Sequence, residues 1–228
     1  MRRVLLDAST RENDASLRSV VETAAQAGIP VERVSRARLD EIHPRHQGVA
    51  AEVAPFSYTP FSGLVERVQA DGASALVLAL DELQDPQNLG SLLRTALAVS
   101  VSGVIIPEHR AVEVTLAVVR TSAGAAEHLA ISRVANIVRA LDDLKAAGLW
   151  VAGLDVRDGV PYDEAKLDGP LVLVVGSEGS GMRRLVREHC DFLIRLPMAG
   201  ATESLNAAVA GSIALYHVFR SRAHRAPE

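Results

Sequence analysis

From residue 75 onward, short apolar runs alternate with segments whose apolar residues recur at helical spacing. The runs predict strands over 75–80, 103–107, 150–154, 171–175 and 192–196. The segments between and after them predict helices over 89–99, 112–120, 134–147, 182–189 and 203–220. The clearest carries Val134, Ile137, Val138, Leu141 and Leu144 on one stripe, and Gly148 ends it. Near-continuous apolar strands are buried on both faces, and strands that alternate with helices run mainly parallel. This part of the chain is therefore read as α/β, a mainly parallel sheet with helices on both faces. Ligands of such sheets sit beyond the carboxyl ends of the strands.

The first fifty residues read as a separate, small α/β unit. Strands are predicted over 3–6, 30–34 and 49–53, with helices over 15–27, stopped by Gly28, and over 36–42. Residues 54–63 then break every periodicity with Pro55, Pro60, Gly63 and the aromatics Phe56, Tyr58 and Phe61, as a packed linker would. The expected division is a small domain over 1–53, a linker and lead-in helix over 54–74, and a large domain over 75–228.

Hydrophobic content of 48% with 23% charged residues is enough for a real core. The apolar runs are far too short to span a membrane. Arg2 and Arg3 precede only a few apolar residues before Asp7, which is not a secretory pattern. A lone Cys190 excludes an internal disulfide framework and suits the reducing cytoplasm, and it reads as a half-buried thiol near a helix end. A net charge of −4 does not advertise a nucleic-acid binder. The arginines are nevertheless bunched: Arg33, Arg36, Arg38 and Arg45 with His43 and His46, then Arg183, Arg184 and Arg187, then Arg220, Arg222 and Arg225. Each bunch alone reads as a solvated face, so composition leaves the RNA question open. The histidines show no metal-ligand spacing beyond His43 and His46, and no G-x-S-x-G elbow is present.

Three segments carry candidate chemistry, each at a junction between strand and helix. In Asp85-Pro86-Gln87-Asn88-Leu89-Gly90-Ser91-Leu92-Leu93-Arg94, Asp85 suits a helix cap and Pro86 a first turn, while Asn88 and Arg94 form a polar pair able to grip a phosphate or ribose. In Gly176-Ser177-Glu178-Gly179-Ser180-Gly181, glycines permit close approach of backbone to a ligand. Their order is G-x-x-G-x-G, not the dinucleotide fingerprint, and Glu178 repels a pyrophosphate but suits a cationic ligand. That disfavours an NAD-dependent oxidoreductase. In Leu196-Pro197-Met198-Ala199-Gly200-Ala201-Thr202-Glu203-Ser204-Leu205-Asn206, Thr202 and Glu203 open a helix, and Leu196, Met198 and Leu205 offer an apolar slot. Taken singly, these are equally a capped helix, a tight turn and another cap with core residues.

Taken together, their order and spacing resemble the three signature motifs of the SpoU/TrmH family of RNA ribose 2'-O-methyltransferases. The matching residues are Asn88, Arg94, Gly176, Glu178, Gly181, Pro197, Gly200, Ser204, Leu205 and Asn206, and the likeness runs from about Ala75 to Arg222. The segment 121–128 also resembles the family. His46-Gln47-Gly48-Val49 and the first domain resemble the ribosomal-protein-like RNA-binding module of a subset that includes the enzymes methylating a guanosine of 23S rRNA. The resemblance implies a C-terminal trefoil knot holding S-adenosyl-L-methionine, a homodimer, and transfer of a methyl group to a ribose 2'-hydroxyl. It implies cofactor contacts from Gly176, Leu196, Met198 and Leu205, and a catalytic set of Arg94, Asn88, Glu178, Ser204 and Asn206. It favours rRNA over tRNA as substrate.

The family often gives Arg94 the role of base. A guanidinium stays protonated, so contact with the neighbouring phosphate and with developing oxyanion charge is the more conservative reading. Relatives with this module begin with a further strand and helix, which this chain is expected to lack, a departure that bears on substrate choice. Leu97, Ser100, Ala207 and Ala208 also depart from the common residues, as packing variation. A tRNA methyltransferase and a non-catalytic RNA-binding protein on the same scaffold stand as alternatives, and intact Asn88, Arg94 and Glu178 argue for activity.

Overall fold

The apolar runs at 75–80 and 171–175 become neighbouring strands in the computed structural model, which describes residues 1–9, 15–202 and 204–223. Expectations placed on Glu203 and Arg225 lie outside the described residues. The chain divides into two units, Met1–Phe56 and Ser57–Glu228.

In the first unit, β1 (Arg3–Asp7) lies between β2 (Val31–Val34) and β3 (Val49–Glu52), parallel to the former and antiparallel to the latter. Its central place follows from Val4, Leu5 and Leu6, all buried. Helix α1 (Ala15–Gln26) joins β1 to β2, and α2 (Arg36–Ile42) joins β2 to β3. Ser35 caps α2 by accepting from the Arg38 N–H at 3.3 Å, and Leu39 is fully buried. Before β3, His46 Nδ1 accepts from the Gly48 N–H at 2.8 Å, and its Nε2 lies 3.2 Å from Asp40.

The second unit opens with α3 (Phe61–Asp71) and continues as β4 (Leu76–Asp81), α4 (Pro86–Ala98), β5 (Gly103–Pro107) and α5 (Leu116–Thr121). Then come β6 (Ile131–Val134), α6 (Ile137–Ala146), β7 (Trp150–Asp155), β8 (Val160–Pro161), β9 (Leu171–Gly176), α7 (Arg184–Glu188), β10 (Phe192–Arg195) and α8 (Ala207–Ala223). The seven strands stand in the order β6-β5-β4-β9-β7-β10-β8, and every pairing is parallel. Strands β4 and β9 are buried throughout, which is why they read as unbroken apolar runs. Their alternate residues serve two cores. Val77, Ala79, Val172 and Val174 face a cluster with Leu64 of α3 and Leu141 and Leu144 of α6. On the other face, Gly211 of α8 comes so close to Val175 of β9 and Leu92 of α4 that a Cβ there would lie 3.1 Å and 2.8 Å from their side chains.

Several boundaries differ from the expectation. Residue 134, expected to start a helix, ends β6, because Ile131 and Val134 pair with Val104 and Pro107 of β5. Asn136 then caps α6 by accepting from the Arg139 N–H at 3.2 Å. The short β8, set beside β10, was not expected either. The helix expected over 112–120 begins at Leu116, and the one expected over 182–189 spans only Arg184–Glu188. The one expected from 89 begins at Pro86, as Asp85 accepts from the Gln87 and Asn88 N–H groups. The helix expected from 203 begins at Ala207, because Asn206 supplies its cap. Cys190 is half-buried, as expected, and burial pushes its thiol up to about 12, so it stays neutral and inert near pH 7.

Helix α4 crosses α5 at Gly90. A Cβ there would overlap Thr121 Oγ1 and lie 2.9 Å from the Ser122 backbone nitrogen. Gly90→Ala gains about 1 kcal/mol of helix propensity, but relieving contacts with fixed backbone costs about 1–3 kcal/mol. Urea unfolding should show Gly90→Ala less stable than the parent, by up to about 2 kcal/mol.

Candidate functional site

Beyond the carboxyl ends of β7, β9 and β10 lies a cavity of about 870 Å³, within the usual range for small-molecule sites. Leu154 and Asp155 end β7, Val175 and Gly176 end β9, and Leu196 follows β10, so three parallel strands deliver the walls to one level. Met198, Ser204 and Leu205 line it from the segment that leads into α8.

The glycine segment is a tight hairpin. Ser177 and Gly181 exchange two backbone hydrogen bonds of 3.0 Å, and the Ser177 and Ser180 hydroxyls meet at 2.6 Å. Gly179 and Gly181 hold positive φ. Gly176 is required for a different reason: a Cβ there would strike the backbone of Gly181 and Met182, which folds back over it. The return is anchored by Arg183. Its backbone N–H and its Nε donate to the fully buried Asp81 carboxylate at 2.7 and 2.8 Å, and Nη1 lies 3.3 Å from Glu82. The hydrogen bond to Asp81 raises the pKa of Arg183 above the ordinary guanidinium value.

At the head of this hairpin Glu178 meets two amides. Asn88, in the first turn of α4, donates from Nδ2 to Glu178 Oε1. Asn206 Nδ2 donates to the same oxygen at 2.8 Å and to Asn88 Oδ1 at 3.0 Å. The orientation of Asn206 is fixed, since its Oδ1 accepts the Ala208 and Val209 N–H groups at 2.9 and 3.2 Å and so caps α8. Residues 88, 178 and 206 thus form one polar network, with Asn88 buried and Glu178 in the cavity wall. Oε2 of Glu178 has no partner among the described residues.

Of the residues singled out from the sequence, Gly176, Glu178, Leu196, Met198, Ser204 and Leu205 line the cavity. Asn88 and Asn206 stand one side chain behind, through Glu178. Arg94 is exposed on α4, outside the cavity walls, and has no hydrogen-bond or ion-pair partner among the described residues.

No site residue was expected in a further part of the lining, made by Leu154, Asp155, Val156, Arg157, Asp158 and Arg187. No motif marks it, yet Asp155 directly follows the strand predicted over 150–154, where ligand sites collect. Burial alone would raise the pKa of Asp155. The Asp158 and Arg157 N–H groups and the Arg187 guanidinium more than offset it and hold that carboxyl below its ordinary value. The cavity thus joins apolar patches (Met198 and Leu205 are 38% and 39% exposed) to carboxylates and hydroxyls. That mixture fits an adenine ring, a ribose and a cationic sulfonium in one molecule. Among the described residues no cluster of His, Cys, Asp and Glu could hold a metal ion, and no helix is long and apolar enough to cross a membrane.

Comparison with known proteins gives this cavity a context. Residues 75–216 match the model of the SpoU rRNA methylase family, and residues 1–59 match that of the RNA 2'-O ribose methyltransferase substrate-binding domain. A Bacillus subtilis protein assigned to the TrmH family of tRNA/rRNA methyltransferases, YacO, is 46% identical over 206 residues, covering 89% of this chain and 82% of the relative. A Staphylococcus aureus protein assigned to the same family is 44% identical over 207 residues, 90% of this chain and 84% of that one. The SpoU methyltransferase AviRb of Streptomyces viridochromogenes, in complex with the cofactor AdoMet, superposes with a TM-score of 0.80 at 25% identity, over 98% of this chain and 84% of that one. An rRNA methyltransferase of Sinorhizobium meliloti gives a TM-score of 0.74 at 25% identity, over 99% and 81%. With its parallel sheet, its glycine hairpin and a cavity suited to S-adenosylmethionine, the chain belongs to the SpoU/TrmH family of S-adenosylmethionine-dependent RNA methyltransferases.

Proposed function

We propose that this enzyme methylates a ribose 2'-hydroxyl of RNA, on a guanosine of 23S rRNA, in the cytoplasm. The observation that carries the reading is the pairing, in one chain, of a cofactor-sized cavity with a first unit that matches a substrate-binding domain of RNA 2'-O ribose methyltransferases. Ribosomal RNA is favoured by the likeness to the Sinorhizobium meliloti enzyme and by the resemblance of His46-Gln47-Gly48-Val49 to the rRNA subset.

S-adenosylmethionine supplies a methyl group activated by its sulfonium. Gly176, Leu196, Met198 and Leu205 would hold that molecule, since they line the cavity and three of them offer apolar surface. The Glu178 carboxylate is held by the amides of Asn88 and Asn206, and Ser204 also lines the cavity. Arg94, exposed and unpartnered among the described residues, is free to meet the RNA backbone outside the cavity. As the 2'-hydroxyl gives its proton to water, Arg94 would stabilise the charge developing on the oxygen; the new bond to the methyl carbon would replace that carbon's bond to sulfur, leaving the demethylated thioether. The trefoil knot belongs to the same reading, supported by the β9–α7 and β10–α8 connections lining one cavity.

The homodimer is supported by α8, where Val209, Ile213, Tyr216 and Phe219 recur at helical spacing and are each 38–49% exposed. Such a stripe on a surface helix marks an interface. Sedimentation equilibrium should find a dimer for the parent and a monomer for the Ile213→Glu/Tyr216→Glu double variant; a parent monomer would sink this part.

Methyl transfer is tested with tritiated cofactor and separated 23S rRNA, 16S rRNA and tRNA from a strain lacking the gene. Label is expected in 23S rRNA alone, surviving alkaline hydrolysis as a 2'-O-methylated dinucleotide; label in tRNA alone would overturn the substrate assignment. In single-turnover assays Arg94→Ala should slow transfer by about 100-fold, the scale of a lost oxyanion donor. Arg94→Lys should recover about tenfold of that. No recovery would show that charge alone is insufficient.

A further inference from the structure

The part of the cavity wall beyond β7 is held by an arginine that no motif contains. Asp155, at the end of β7, turns the chain by accepting the Arg157 and Asp158 N–H groups on Oδ1 at 2.9 and 3.0 Å. Its Oδ2 accepts from Arg187 Nε at 3.2 Å, and Arg187 Nη2 also bonds Asp158. Arg187 belongs to α7, which follows the glycine hairpin. One guanidinium therefore ties the segment after β9 to the segment after β7, and both segments line the cavity.

We propose that Arg187 is a positioning residue for the cofactor: by gripping both carboxylates of the β7 loop, it holds the acidic wall in the shape that receives the cationic end of S-adenosylmethionine. This rests on the reading that the cavity is the cofactor site. The charged residues in the walls are Asp155, Asp158 and Glu178 against Arg157 and Arg187, an excess of negative charge. S-adenosylmethionine carries a permanent sulfonium charge, which its demethylated product lacks. Such a wall holds the methyl donor more tightly than the product.

Two opposed effects meet at Arg187. Its positive charge by itself disfavours a cation, but without it Asp155 and Asp158 repel each other and the loop loses its second attachment. The geometric effect dominates, because the side chain of Asp155 is only 20% exposed and cannot move to water without dismantling the turn. The fork of a guanidinium reaches two carboxylates at once, which an ammonium does less well.

Calorimetric titration of the full-length protein, without RNA, tests the assignment with S-adenosylmethionine and S-adenosylhomocysteine as ligands. Arg187→Ala should weaken S-adenosylmethionine binding at least tenfold and S-adenosylhomocysteine binding less, with Arg187→Lys between. The unliganded Tm should stay within about 4 °C of the parent, as expected for a partly exposed ion pair. At saturating cofactor the single-turnover rate should stay within about threefold, so that KM moves and kcat does not. Unchanged or tighter binding in Arg187→Ala would overturn the proposal. If that variant fails to fold, Asp158→Asn, at an exposed position, should still weaken binding of the methyl donor severalfold, and no change would overturn the proposal as well. A parent protein that binds neither ligand would instead remove the cofactor assignment itself.

Discussion

Strands β4 and β9 pair in parallel over six residues, from Leu76 with Leu171 to Asp81 with Gly176. That register sets the level of everything above it. The Asp85–Arg94 segment leaves the sheet from one strand and the glycine hairpin from the other, so residues ninety positions apart in the chain begin side by side. A slip of one residue would turn every side chain of a strand to the wrong face. Two cores, one under α3 and α6 and one under α4 and α8, forbid it. The pairing also brings Asp81, fully buried, to the foot of the hairpin, where Arg183 answers its charge. Removing Arg183 strands the buried Asp81 carboxylate, at a cost of up to about 3–5 kcal/mol. The hairpin is therefore bound to the sheet by electrostatics as well as by chain connectivity.

Helix capping and site construction are carried out by the same residues. Asp85 closes the start of α4 and so presents Asn88, while Asn206 closes the start of α8 with one end of its amide and reaches Glu178 with the other. The positions of both helices and the orientation of Glu178 are thus linked. Elsewhere in the cavity wall Asp155 does the same for a turn, ordering its own loop while bonding Arg187. The cavity wall thus holds a neutral-amide clamp on one carboxylate and a guanidinium clamp on two others. That arrangement leaves negative charge in the walls without leaving the carboxylates unsupported.

Most of the architecture was legible because the physics was local. Buried parallel strands read as near-continuous apolar runs, and β5, β9 and β4 up to Leu80 do. Strand β6 was not, because Ser132 and Arg133 interrupt it and Val134 continues a helical spacing into α6; only pairing with β5 shows that Ile131 and Val134 lie in the sheet. The two-residue β8 has no pattern to read and exists by pairing with β10. The start of α8 was set too early, since Thr202 looks like a cap as much as Asn206 does. Which one closes the helix depends on a partner, Glu178, that is remote in sequence.

The sequence by itself determined the class of the fold, the order of most of its elements and, through three motifs, the family and six of the cavity-lining residues. These follow from side-chain periodicity, turn chemistry and residue identity, which act over a few positions. Only the tertiary structure decided that Asn88, Glu178 and Asn206 share hydrogen bonds, that Arg94 stands outside the cavity, and that Asp155, Asp158 and Arg187 line it. Those contacts join segments separated by about thirty to more than a hundred residues. Their geometry is set by strand register and helix packing, and no local pattern in the chain encodes a distance of that kind.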